Sequence, residues 1–325
     1  AAWFDRLGAA ADVLEVGEQP TPAPGRGEVL VRLAVSGVNP SDVKKRAGSF
    51  PDLLDGGYVI PHSDGAGVIE AVGDGVPRGR IGERVWVYQA QFQRRFGTAA
   101  EYVALDATRA VSLPEAASFE EGACLGIPAM TAHRCVHADG PVAGQRLLVT
   151  GGAGRVGRLA IQIARAAGAR VAATASNPDD EALVRALGAE TVVNHRQPGW
   201  GQALRDALGG ALMDRVIDVE FGANLPEVLD VIRVGGTIAT YASSVEPQPK
   251  LPFFRMMYMD LTVRLVIVYA MPEAAKQAAA AAINAALTSR TLALHIGAVE
   301  PLDRIAQAHA LVEQGAAGCV LVSLP

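Results

Sequence analysis

The chain has 325 residues, half of them hydrophobic, and a formal net charge of −5. That length exceeds one average domain and that composition can bury a large core, so two folded domains are expected. An acidic balance with no basic run gives little electrostatic basis for gripping nucleic acid or an anionic membrane.

Pro20, Pro22 and Pro24 mark a loop before the first clear strand, residues 29–36, where apolar and polar residues alternate. Residues 65–72 read as another short strand, and residues 84–89 follow a turn at Gly82. Many short strands with frequent turns predict an antiparallel, barrel-like β domain. Cys124, Cys135 and Cys319 are odd in number and widely spaced, which offers neither a disulfide framework nor a Cys-x-x-Cys zinc lobe. A reducing, cytoplasmic setting is expected, and no signal peptide is visible after Ala1.

Residues 146–168, RLLVTGGAGRVGRLAIQIARAAG, read as a buried strand running into a glycine-rich turn and then a helix. Gly152, Gly154 and Gly157 have the G-x-G-x-x-G spacing of a dinucleotide site. The first permits the turn, the second lets a pyrophosphate approach, and the third lets the helix pack on its strand. The amides that open the helix then face the phosphates along a favourable dipole.

Strands and helices alternate from there. Residues 170–174, 191–194, 216–219, 236–241 and 261–269 read as strands, with a helix start at Asn177-Pro178 and an amphipathic stretch at 225–234. The alternation predicts an α/β, doubly wound parallel sheet with its ligand at the carboxyl ends of the strands. The apolar run 261–271 contains Arg264 and is too short to span a bilayer. An alanine-rich helix over 272–289 and a last strand over 318–324 close the chain.

The end of the second strand of the series, Thr174-Ala175-Ser176, carries no carboxylate for a ribose 2′-hydroxyl. Asp179, Asp180 and Glu181 are read as helix-start residues behind an Asn177 cap. Ser176 and Arg196 offer a hydroxyl and a cation for a 2′-phosphate, so the residues favour NADPH.

Nearly the whole chain resembles the medium-chain dehydrogenase/reductase superfamily, and within it the zinc-free quinone oxidoreductases of the zeta-crystallin type. The resemblance is carried by SGVNPSD at 36–42, PHSDGAGVIEAVGDGV at 61–76, GTAAEYV at 97–103, LGIPAMTAHR at 125–134, and VTGGAGRVG and VVNHR further on. It implies a GroES-like β-rich catalytic domain from residues 1–121 and 271–325, a Rossmann domain from 122–270, and an active site in the cleft. In the zinc-dependent relatives the metal ligands fall at Asn39, Ser63 and about Ile127, none of which is a competent ligand here. No metal is therefore expected. His62, one position from the family's histidine, reads as a surface or turn residue.

The resemblance places Asn39, Asp42 and Thr131 around the nicotinamide end, with Lys44 and Phe50 at two positions where the family often has aromatic residues. Asn39 is the expected hydrogen-bond donor to a developing oxyanion, Thr131 a partner of nicotinamide or substrate oxygen, and Asp42 an organiser of the loop. Asn39-Pro40 is also a good turn starter, and Thr131 can instead back-bond within its helix. Lys44 is either a stabiliser of an anionic reduced acceptor or a solvated charge. For the cofactor the correspondence extends over Gly152, Gly154, Arg155, Val156, Gly157, Ser176, Arg196, Asn224, Ala242 and Ser243. Two basic positions that relatives use fall at Ala182 and Cys319; Arg185, one turn beyond the first, either compensates for it or faces solvent.

The resemblance implies NADPH-dependent reduction of a quinone by direct hydride transfer. Enone or enoyl reduction is the enzymatic alternative, and an NADPH-binding structural or RNA-binding crystallin-like role the alternative of another class. The run 261–269 is the family's edge strand, which implies a twofold homodimer formed by pairing it with itself. Small molecules, not nucleic acid or membrane, are the other expected partners.

Overall fold

The alternating run that begins at Glu28 forms the longest strand, Glu28–Val38, in the computed structural model, which describes residues 1–325 with the side chain of Pro51 excepted. Val29, Val31 and Leu33 point to one side and are fully buried with Ile69, Val85 and Leu105. The strand lies inside a seven-stranded sheet in the order Ile296–Pro301, Cys319–Ser323, Glu28–Val38, Asp64–Val72, Arg84–Val87 and Ala110–Ser112, with Tyr102–Asp106 also paired to Glu28–Val38. The pairings are antiparallel except between Ile296–Pro301 and Cys319–Ser323.

Both ends of the chain build this unit, which comprises Ala1–Ile127 and Ala280–Pro325. Val320 pairs with Val38. Asn284 accepts from Trp86 Nε1 at 3.0 Å and donates to the Ser112 carbonyl at 2.7 Å, which fastens the C-terminal segment to the sheet. The change of unit falls inside the helices Gly126–His137 and Glu273–Thr288.

The second unit, Pro128–Ala279, holds a six-stranded parallel sheet. Its order is Thr191–Asn194, Arg170–Ala175, Arg146–Val149, Met213–Asp218, Ile232–Thr240 and Thr262–Leu265. The chain starts in the middle at Arg146–Val149 and winds outward in both directions, so the strand order reverses beside that strand. Leu148, Val216, Ile238, Trp200 and Leu204 fill one side of the sheet.

Two strands depart from the sequence expectation. The strand expected over 236–241 already begins at Ile232, where the helix Phe221–Val231 ends. Gly235, left-handed at φ 70°, makes this possible, and the register against Met213–Asp218 slips there. The strand expected over 261–269 is only Thr262–Leu265. Val266 N still donates to Thr240 O at 2.7 Å, but Thr240 is the last residue of its strand, and Val268–Ala270 turns away. Among the described residues no helix is long and apolar enough to cross a membrane.

Candidate cofactor and acceptor sites

In the second unit the turn after Arg146–Val149 is held from both neighbouring strands. Gly151 N donates to Thr174 Oγ1 and Gly152 N to Thr174 O, both at 2.9 Å, while Thr150 Oγ1 donates to Asp218 Oδ1 at 2.6 Å. The left-handed residue of the turn is Gly151, at φ 59°, one position ahead of the glycine that the spacing singled out. Gly152 instead lies tightly against Ala173, Val184 and Ile161. Gly157 does what its place in the motif requires, since a Cβ there would collide with the Gly151 carbonyl.

The helix Arg155–Ala166 starts at Gly154, and no side chain caps it. The dipole of a helix start favours an anion such as a pyrophosphate. Arg155 and Val156 stand half-buried in this first turn.

Beside the turn lies a cavity of about 510 Å³ lined by Gly151, Thr174, His195, Arg196, Asn224 and Val245 among others. Arg196 and Asn224 from the sequence reading thus meet at one place. The Arg196 side chain is exposed and has no ion-pair partner among the described residues. Asn224 is tied by Nδ2 to Asp218 Oδ1 at 2.8 Å. His195 was not singled out from the sequence, although it stands in the NHR triplet. Burial holds its ring below the usual histidine range, with Arg196 adding to the effect, and Nδ1 has no hydrogen-bond partner among the described residues.

At the end of Arg170–Ala175 the sequence reading needs a correction. Asn177 does cap the helix Pro178–Ala186, accepting from Asp180 N at 2.9 Å. Asp180 is more than a helix-start residue, however, because its Oδ2 accepts from Ser176 Oγ at 2.7 Å and from Asn177 Nδ2 at 2.8 Å. A carboxylate therefore does stand at the strand end, delivered from one turn into the helix. Arg185 is paired with Glu181 on its own helix. Ala242 and Ser243 border a separate depression of about 550 Å³ with Phe221, Val263 and Leu265. Both serve the loop itself: Ala242 O accepts from Phe221 N, and Ser243 Oγ accepts from Gly222 N and donates to Glu246 O.

In the first unit Asn39 precedes the short helix Pro40–Lys44, with Pro40 at its first position. Asp42, almost fully buried, accepts from Asn39 N at 2.8 Å and so closes the turn. The Asn39 side chain, also buried, donates through Nδ2 to Asp64 Oδ2 at 2.8 Å. The same oxygen accepts from Ile127 N at 2.8 Å. Asp64 is fully buried, and burial pushes its carboxyl up to about 8 against the opposing pull of those hydrogen bonds. The sequence reading passed over this residue; the signal available was an acid at the head of a strand, within the motif at 61–76.

Lys44 is exposed, and the neighbouring Lys45 is the buried cation, donating to Gln91 Oε1 at 2.8 Å. Phe50 is half exposed. Thr131, in the second unit, is buried in the helix Gly126–His137. Its hydroxyl makes no hydrogen bond among the described residues, so the back-bond within the helix is not formed.

His62 is not at the surface. It is fully buried at φ 76°, its ring stacked on His309, with Nε2 at 2.9 Å from His309 Nε2 and Nδ1 at 2.8 Å from Ser36 Oγ. Thr98 spends its hydroxyl hydrogen on Asp64 O, so Ser36 must donate to Thr98 and accept from His62. His62 therefore carries its proton on Nδ1 and accepts from His309. Burial pushes both rings down, His309 to about 3, and neither is a free metal ligand. Asn39, Ser63 and Ile127 bring an amide, a hydroxyl and an aliphatic chain, a donor set that does not fit zinc. Among the described residues no three His, Cys, Asp or Glu side chains gather to hold a metal ion.

Residues 25–115 match the family described as the alcohol dehydrogenase GroES-like domain, and residues 156–284 match the family described as zinc-binding dehydrogenase. The chain is 32% identical to the human quinone oxidoreductase over 299 residues, covering 90% of this chain and 88% of that one. A solved structure described as an NAD-dependent alcohol dehydrogenase superposes with a TM-score of 0.88 at 30% identity over 100% of this chain and 99% of the other. A mycobacterial protein complexed with NADPH superposes with a TM-score of 0.88 at 26% identity, covering 99% of both chains.

Proposed function

The chain belongs to the quinone oxidoreductases of the medium-chain dehydrogenase/reductase superfamily, and on that premise we propose that it reduces quinone-like acceptors with NADPH, without zinc. The observation that carries the proposal is the Asn39 side chain, fastened to a buried carboxyl where a zinc-dependent relative has its first ligand. An acceptor there meets a hydrogen-bond donor in place of a Lewis acid, so it must be one that takes hydride readily.

NADPH, when bound, supplies the hydride and becomes NADP⁺. The first turn of Arg155–Ala166, with Gly152, Gly154 and Gly157 before and within it, would hold the pyrophosphate. Arg196 would meet the 2′-phosphate, and Asn224, which borders the same cavity, would line the adenosine end. Ser176 borders the same strand end with its hydroxyl donated to Asp180, and Ala242 and Ser243 would shape the loop toward the nicotinamide. The acceptor gains one hydride and one proton, the proton coming from solvent, to give the hydroquinone. Asn39 steadies oxygen charge as it develops, Thr131 offers its hydroxyl to the nicotinamide or the acceptor, and Asp42 keeps the loop closed. Lys44, at the exposed end of its helix, adds a cation for the anionic product.

Enone reduction is the second reading, supported by the same donor and distinguished by its need for a proton at carbon. Assay of NADPH oxidation across quinones, enones and simple alcohols tests the proposal; activity confined to alcohols would refute it. A role in RNA binding finds no support in a net charge of −5. A cytoplasmic location accords with three buried free cysteines.

We also propose a twofold homodimer through residues 261–269. Thr262–Leu265 is an edge strand, and Leu265 is 77% exposed and Ile267 56%. An open edge carrying such side chains invites pairing with a second copy.

A further inference from the structure

Three segments of the first unit converge on one residue, Asp64. Asp64 opens the strand Asp64–Val72, and its Cα pairs across the sheet with Gly37, two residues before Asn39. Its Oδ2 receives Asn39 Nδ2 and Ile127 N, each at 2.8 Å, and its own carbonyl receives Thr98 Oγ1 at 2.6 Å. Oδ1 has no hydrogen-bond partner among the described residues and lies against Gly126, where a Cβ would collide with it. The side chain is fully buried.

We propose that Asp64 is a positioning residue for the reduction, fixing the Asn39 amide so that its second N–H is held ready for the acceptor oxygen, and that it does so as the neutral acid. The inference rests on the acceptor role assigned to Asn39 above. An asparagine amide is planar and has two N–H bonds; with one directed at Asp64 Oδ2, the direction of the other is set. Oδ2 is filled by two donors, so the carboxyl proton resides on Oδ1. The surroundings agree with a neutral group. Burial, with Asp42 from the Pro40–Lys44 helix and Cys319 from the Cys319–Ser323 strand acting in the same direction, pushes the carboxyl up to about 8 against the Ile127 and Asn39 hydrogen bonds that lower it. Ionisation would put a negative charge directly behind the donor and oppose the negative charge growing on the acceptor oxygen.

Asp64→Asn keeps a carbonyl oxygen for both donors and cannot ionise; Asp64→Ala leaves both donors unpaired. With NADPH and 1,4-benzoquinone as probes, native kcat is expected to fall as pH rises through about 8. The Asn variant is expected to keep kcat within about threefold at pH 7 and to lose that fall. The Ala variant is expected to lose about 30-fold in kcat with an unchanged KM for NADPH. Infrared difference spectra of native protein against Asp64→Asn supply a readout independent of turnover. A protonated-carboxyl band is expected at pH 6.5 and should vanish above pH 9, whether or not the Ala variant folds. A folded Ala variant with native kcat, an Asn variant as impaired as the Ala variant, or no such band at pH 6.5 would each overturn the inference. Failure of the quinone reading would look different, as native protein that does not oxidise NADPH with benzoquinone at all.

Discussion

The Ser176 hydroxyl donates to the Asp180 carboxylate at 2.7 Å, so the end of the second strand of the parallel sheet pairs a hydroxyl with a negative charge. Only the exposed Arg196 side chain nearby favours a 2′-phosphate outright. The preference for NADPH over NADH is therefore expected to be modest. Asp180→Asn removes the repulsion and should raise the NADPH:NADH ratio of kcat/KM by about tenfold, whereas Ser176→Asp should erase the preference. Steady-state kinetics with both cofactors checks this; an Asp180→Asn ratio at or below the native one would count against the proposed seating.

Stability should respond to pH with opposite signs on two sides of neutrality. His62 and His309 are neutral in the folded state, because burial lowers both, and they bind protons when unfolded. Their contribution is present above about 6.5 and is lost as pH falls. Asp64 has the reverse sign: the folded state keeps its proton up to about 8 while the unfolded chain releases it near 3.8. Between those values native stability falls as pH rises, by at most about 1.4 kcal/mol per pH unit from this group. Urea midpoints of native protein and Asp64→Asn should converge toward acid pH and diverge from pH 6.5 to 8, with the native protein losing ground. Parallel midpoints across that range would contradict the assignment.

The proposed dimer edge has a polarity that fixes which substitution tests it. Val266 N donates inward to Thr240 O. Leu265, one residue earlier, therefore points its N–H outward to the open edge. Leu265→Pro should remove a donor to a second copy and shift light scattering toward a monomer, while Val266→Pro should lower Tm by breaking a bond within the chain. A native protein that scatters as a monomer at micromolar concentration would rule the dimer out.

Strong local periodicity made much of this fold legible. The helix start at Asn177-Pro178 and the strand Thr191–Asn194 needed only caps, proline and apolar runs. What failed depended on neighbours. Thr262–Leu265 stops where its partner strand stops, which no apolar run discloses. The turn's left-handed glycine is Gly151 because three adjacent candidates, Gly151, Gly152 and Gly154, share the loop, and contacts with Ala173 and Val184 decide their division of labour. At the sites, Asn39 and Asp42 were visible through a motif, but Asp64 was not, since its importance lies in reaching Asn39 and Ile127 from distant parts of the chain. Asp180 misled for the same reason: a helix-start acid reads alike whether it faces solvent or Ser176.

One assay decides whether this chain transfers hydride from NADPH to a quinone with an amide where relatives have a zinc ligand. Protein dialysed exhaustively against chelator, and verified by elemental analysis to hold no stoichiometric zinc, would be mixed with NADPH and 1,4-benzoquinone. One hydroquinone per NADPH is expected at an undiminished rate, and Asn39→Ala should cost about 100-fold in kcat. Activity that disappears on chelation and returns only with added zinc would contradict the account.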